Sequence, residues 1–181
     1  GKSRHPEEAR ESEAEGKARY AAIARAIAEV SLDEDESALF EGDRARLKTA
    51  TLMLAISRYE STWRRDVDYG LGRQAKRRYK CLMQIAVPDG KTTEEGWTAE
   101  DLVGDREKCF RAALHILQRG KRVCAKRGGT SFVNHYASGH CDRGGKAVKK
   151  RIDLMQRWLR DNPYPPKPQP KKKPRNKDDE R

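Results

Sequence analysis

The residue with the clearest capacity for chemistry is Glu60, in the stretch TATLMLAISRYESTW at 49–63. Met53, Ile56, Glu60 and Trp63 are spaced three, four and three residues apart, so a helix would carry them on one face. A lone carboxylate on an apolar stripe is costly to bury. Two readings follow. Glu60 sits at the rim and reaches solvent or a basic partner, or apolar surroundings keep it protonated near neutral pH. The second state suits one task in particular. A glycosidic oxygen leaves poorly unless it is protonated as its bond breaks.

Two later segments carry side chains that suit a sugar cleft. In Cys81-Leu82-Met83-Gln84-Ile85, methionine supplies an adaptable apolar wall and Gln84 an amide for N-acetyl or hydroxyl groups. In His135-Tyr136-Ala137-Ser138-Gly139, Tyr136 offers a ring for packing and one hydroxyl. Periodicity alone fits plain core equally well for Met83, Ile85 and Tyr136.

Taken together, these segments resemble a known family. Tyr59-Glu60-Ser61-Thr62-Trp63 resembles the E-S-x-[FW] motif of soluble lytic transglycosylases and goose-type lysozymes. Cys81–Ile85 resembles their G-L-M-Q-[IV] motif and His135–Gly139 their A-Y-N-x-G motif, in the same order, within residues 43–160. The resemblance implies a mainly α, lysozyme-like transglycosylase domain that acts on peptidoglycan glycan strands. It implies that Glu60 is the acid/base and that Ser61 orients the sugar or the glutamate. Met83 and Gln84 are implied to line the cleft, and the Tyr136 hydroxyl to approach Glu60. It implies no cofactor and no metal.

The chain departs from the family at two positions: Cys81 replaces the glycine before Leu-Met-Gln, and Ala137 replaces the asparagine. Cysteine lacks glycine's backbone freedom. The reaction type turns on a second carboxylate, because glycosidases that use water commonly employ two. Asp66 and Asp68 are the nearest in sequence to Glu60. If either positions a water, hydrolysis is expected. If neither does, one glutamate is expected to give a 1,6-anhydro product, as in the family's transglycosylases. Outside enzymes the alternatives are a glycan-binding module without catalysis and, from the basic middle and tail, a nucleic-acid-binding protein.

Cys81, Cys109, Cys124 and Cys141 form an even set without a C-x-x-C pair. This predicts two disulfides and an oxidising compartment, against four buried thiols in the cytosol. Four cysteines allow three pairings. The family's packing, with the helix around Cys109 behind the cleft segment, favours Cys81–Cys109 and Cys124–Cys141. A zinc site built from Cys124, His135, His140 and Cys141 lacks the usual paired spacings. The first residue is Gly1 rather than Met, which predicts a mature form that has lost a signal peptide. The expected location is therefore periplasmic or secreted, at the cell envelope.

Of the 181 residues, 38% are charged, and the charge is uneven. The net is −5 over residues 1–42, +14 over 43–160 and +3 over 161–181, which sums to the overall +12. A basic middle favours a polyanion. Interleaved aromatic runs and recognisable nucleic-acid motifs are absent, so anionic wall polymers are expected and nucleic acid is not. The loop 66–80 is unusually basic, with Arg73, Lys76, Arg77, Arg78 and Lys80. No apolar run approaches the roughly 20 residues of a membrane span. A monomer is expected.

The elements that must position these residues are mostly helices joined by glycine-containing loops. An acidic extension, 1–42, is predicted to hold one helix over 17–31, on Tyr20, Ile23, Ile27 and Val30, after a frayed 1–16. The catalytic domain, 43–160, is predicted to begin with a helix capped by Asp43 and reaching Arg65. An irregular or hairpin segment at 66–86 follows. TAED at 98–101 resembles a capping box. A helix at 106–119 is predicted to end at Gly120, and a short one to start at Thr130 or Ser131. The last carries Val148, Ile152, Met155 and Leu159. The tail 161–181, rich in Pro and Lys, is predicted to be an extended spacer.

Overall fold

The computed structural model describes residues 11–163. The predictions for residues 1–10 and for most of the tail lie outside them. Seven helices and one two-stranded hairpin make up the described fold. They run in the order α1 (Glu13–Leu32), α2 (Ala45–Ser61), α3 (Arg65–Asp68), a 3-10 turn (Gly72–Gln74), β1 (Tyr79–Lys80) and β2 (Ile85–Ala86). α4 (Ala99–Gly104), α5 (Arg106–Val123), α6 (Ser131–Ser138) and α7 (Gly145–Asp161) follow. The mainly α class holds, and so does the hairpin within the segment 66–86.

Helix α5 is the hub. Cys109, Phe110, Ala113, Leu114 and Leu117 are all buried along it. It packs against α1, α4, α6 and the hairpin, while α2 packs between α1 and α7. α1 starts at Glu13, four residues before the predicted start. Ser12 accepts from Glu15 N at 3.2 Å, and Glu15 Oε2 accepts from Ser12 N at 2.7 Å, closing a capping box. Its residues Ile23, Ile27 and Val30 lie in the same core as α2 and α5. Tyr20, expected on that stripe, is 49% exposed and packs edge-on against Trp63.

α2 begins at Ala45 and is not capped by Asp43. Arg44 precedes it with φ 61, and no side chain caps it. Tertiary contacts fix this start instead. Arg46 donates to Glu34 O at 3.3 Å and, in a short bond, to Asp33 O, while Thr49 Oγ1 accepts from Leu39 N at 2.9 Å. The helix also stops earlier than Arg65. Thr62 and Trp63 both take positive φ, 51 and 53, so the chain leaves α2 after Ser61. Trp63 is therefore off the helical face predicted for it, and stacks on Trp158 of α7. The turn after α2 is held from α1, where the buried Arg19 donates to Trp63 O at 2.7 Å and to Glu11 at 2.7 and 3.0 Å.

Both predicted disulfides are present, Cys81–Cys109 tying the hairpin to α5 and Cys124–Cys141 closing a loop around α6. The capping box at Thr98 and Asp101 is present too. Gly120 does not end α5, which continues to Val123. A Cβ at Gly120 would lie 3.1 Å from Phe132 O and 3.3 Å from His135 Nδ1. The glycine is there so that α6 can approach. Among the described residues no helix is long and apolar enough to cross a membrane.

Candidate functional site

Glu60 occupies the last turn of α2 and opens into a cleft of about 510 Å³. Gln84 and Ile85 of the hairpin line it, with Tyr79 opposite Ala86, Ile116 and Arg119 of α5, and His135 and Tyr136 of α6. Glu60 is the one carboxylate among these lining residues. A smaller hollow of about 190 Å³ shares Ile85, Ala86, Ile116 and Arg119 with the cleft and extends it to Thr92–Glu95.

The rim reading of Glu60 describes its setting. Arg151 of α7 donates from Nη2 to Glu60 Oε1 at 2.6 Å. Arg151 is itself buried, donates from Nη1 to Ala147 O at 2.8 Å, and lies over the Tyr59 ring. It does not line the cleft, so it holds the carboxylate from behind. The predicted all-apolar surrounding is absent because α7 packs on α2 at this turn and brings its arginine.

Cys81 and Gln84 both have positive φ, 54 and 51. The backbone at Cys81 thus adopts a left-handed conformation that favours glycine, and the Cys109 bridge anchors that residue. Gln84 N and Nε2 both donate to Cys81 O, at 3.1 and 3.0 Å, which closes the turn and fixes the amide at the cleft wall. Tyr136 OH donates to Met83 O at 2.6 Å. Burial, reinforced by the negative charge of Glu60 and partly opposed by Arg151, pushes the Tyr136 hydroxyl well above the usual tyrosine range. It remains a hydrogen-bond donor at any working pH.

Glu60, Gln84 and Tyr136 therefore meet at the cleft, and Ser61 and Met83 do not line it. The Ser61 hydroxyl is buried, donates to Ser57 O at 2.9 Å and accepts from Trp63 N at 3.2 Å, so it shapes the end of α2. The Met83 side chain is core, and only its carbonyl serves the site. Asp66 and Asp68 are buried and ion-paired. Arg64 bridges Asp66, and Arg106 grips Asp68 at 2.7–3.2 Å. Neither lines the cleft. Cys124 and Cys141 are bonded to each other and so are not thiolate ligands. No cluster of three metal-binding side chains occurs among the described residues.

No family model, curated protein or solved structure matches the chain.

Sequence reasoning missed Arg151, Arg119, Tyr79 and His135. Arg151 left a signal. It lies three residues after Val148 and four before Met155, a lone cation on the stripe of α7, as Glu60 is a lone anion on that of α2. The cleft has the parts for acid/base work on a polar, uncharged bond. One carboxylate, an amide and a phenol stand on apolar walls, on elements fixed by a disulfide and a helix pair.

Proposed function

We propose that this protein is a peptidoglycan lytic transglycosylase that cleaves the β-1,4 bond between N-acetylmuramic acid and N-acetylglucosamine, with Glu60 as its single acid/base. The observation that carries this reading is that Glu60 is the sole carboxylate lining a cleft that also holds Gln84 and Tyr136. In such a site Glu60 first protonates the leaving glycosidic oxygen. The resulting carboxylate then takes the proton of the muramic acid C6 hydroxyl as that oxygen attacks the anomeric carbon. The product is a 1,6-anhydro end, and no water is consumed. Asp66 and Asp68 are committed to arginines, and Glu94 and Glu95 of the adjoining hollow are engaged by Arg119 and His115, so Glu60 is the one carboxylate lining the cleft itself. Two disulfides fit the oxidising surroundings of the periplasm or cell exterior, where this substrate lies.

One observation favours a second reading, a glycan-binding module without catalysis: the Glu60 carboxylate is engaged by a cation in the resting geometry. Mass spectrometry of purified peptidoglycan digested by the wild type and by Glu60→Gln separates the possibilities. Anhydro ends from the wild type and none from the variant are expected. Hydrated ends, heavier by one water, would assign a hydrolase. Intact glycan that nevertheless retains the protein would assign the binding module.

A further inference from the structure

Between Asp68 and Asp89 the chain has no acidic residue, and within that stretch Arg73, Lys76, Arg77 and Arg78 are all exposed. None of the four forms an ion pair with a described residue. Other arginines of the molecule, Arg19, Arg64, Arg106, Arg111, Arg119 and Arg151, do meet carboxylates. The loop is nevertheless built. Lys80, the one inward cation, donates from Nζ to Ala75 O at 2.7 Å. Arg77 N donates to Gln74 O, and Val87 N to Arg78 O, both at 3.1 Å. The segment ends at Tyr79, which is 52% exposed and lines the Glu60 cleft. A cationic ridge therefore runs off the rim of the cleft, joined to it by an exposed aromatic ring.

We propose that this ridge is a subsite for anionic groups carried by the glycan strand, the carboxylates of its stem peptides or the phosphodiesters of attached wall polymers. The inference rests on the reading of the cleft as a glycan site. A sugar in the cleft can pass over the Tyr79 ring, since exposed aromatic faces suit sugar rings, and its charged substituents then meet the cations. A neutral glycan would gain nothing from them. Repulsion among four unpaired cations in one loop is relieved when an anion lies across them.

The test uses binding to insoluble walls in the Glu60→Gln background, so that it does not depend on cleavage. The variant Arg73→Gln/Lys76→Gln/Arg77→Gln/Arg78→Gln is compared with its parent, after matching melting curves show that both fold. Walls are used intact, with carboxylates blocked by amidation, with phosphodiesters stripped by acid, and with both treatments. The parent is expected to bind intact walls about tenfold more tightly than the loop variant, the scale of several weak screened contacts acting together. The treatment that removes this advantage identifies the anion. Equal binding by parent and variant overturns the proposal, as does an advantage that survives both treatments. So does an equal advantage on duplex DNA, which would mark the ridge as an unselective polyanion surface. If the protein with Glu60 restored cleaves no wall while the loop still confers binding, the proposed catalysis fails and the subsite stands.

Discussion

Arg151 Nη2 lies 2.6 Å from Glu60 Oε1, joining α7 to the last turn of α2 across 91 positions of chain. The guanidinium is anchored in turn on Ala147 O, so it fixes one carboxylate oxygen of a residue that lines the cleft. With Glu60 as the acid/base proposed above, this geometry would make Arg151 its positioning residue.

Arg151→Met is expected to lower kcat by about 10–100-fold with a much smaller change in KM, as for a reacting group that has lost its alignment. Arg151→Lys should recover part of the loss, limited because a lysine cannot serve Ala147 and Glu60 together. Glu60 is partly exposed, so breaking the pair should cost about 1–3 kcal/mol, less than for a fully buried pair. A kcat equal to the wild type in Arg151→Met would remove the assigned role.

Cys81 bears two loads, a bridge and a left-handed backbone. Removing the bridge by Cys81→Ser/Cys109→Ser opens a loop with a sequence separation of 28 and should cost about 3–4 kcal/mol. Cys81→Gly/Cys109→Ser should recover about 1 kcal/mol of this, because glycine takes positive φ without strain. Urea unfolding of the two double variants decides. Equal stability would mean that the backbone at this position carries no strain.

Gly120→Ala sets two effects against each other. Alanine gains about 1 kcal/mol in helix propensity. Its methyl meets Phe132 O at 3.1 Å, a backbone atom that cannot yield without moving α6. Overpacking of this kind costs about 1–3 kcal/mol, so the variant should be destabilised. Since α6 carries His135 and Tyr136, KM should rise as well. A raised melting temperature would show that α6 gives way freely.

His115 links Glu95, at 2.6 Å, to Glu36, at 2.9 Å, and so moors the wall of the smaller hollow to the segment after α1. Burial works against the charged ring, but the hydrogen bonds to Glu36 and Glu95 outweigh it and hold its pKa above the ordinary 6.5. Burial likewise works against both carboxylates. Their hydrogen bonds, from His115, Arg111 and Gln118 to Glu36 and from Thr93 and His115 to Glu95, hold them below the ordinary 4.5. The histidine's contribution to stability is therefore complete below pH 6.5 and is lost as pH rises through its raised value. The carboxylates contribute above 4.5 and fail as pH falls. Chemical denaturation of the wild type and His115→Gln between pH 5 and 9 should show an advantage for the wild type that shrinks with rising pH. A constant difference would contradict the assignment.

Much of the helical order was legible because apolar spacing is local. Ile23, Ile27 and Val30, or Phe110, Leu114 and Leu117, announce their helices and are buried as expected. Boundaries decided by distant partners were not legible. α2 starts where Arg46 and Thr49 find the loop before it, and α5 passes through Gly120 because α6 lies against it. The same division holds in the cleft. Glu60, Gln84 and Tyr136 could be read from short motifs, whereas the inward turn of Ser61 follows from the two positive-φ residues after it. Arg151 was visible as an anomaly on its stripe, but its partner lay 91 residues away.

The pairing of Glu60 with Arg151 also sets the order in which the site can come into being. During synthesis Glu60 emerges 91 residues before its cation. A chain interrupted or clipped before α7 lacks Arg151, together with Val148 and Met155 of the core, and so leaves Glu60 without that anchor. Contacts so far apart in sequence form late, after the local helices. The last described helix therefore completes the setting of Glu60, and a partial chain without it lacks that ion pair.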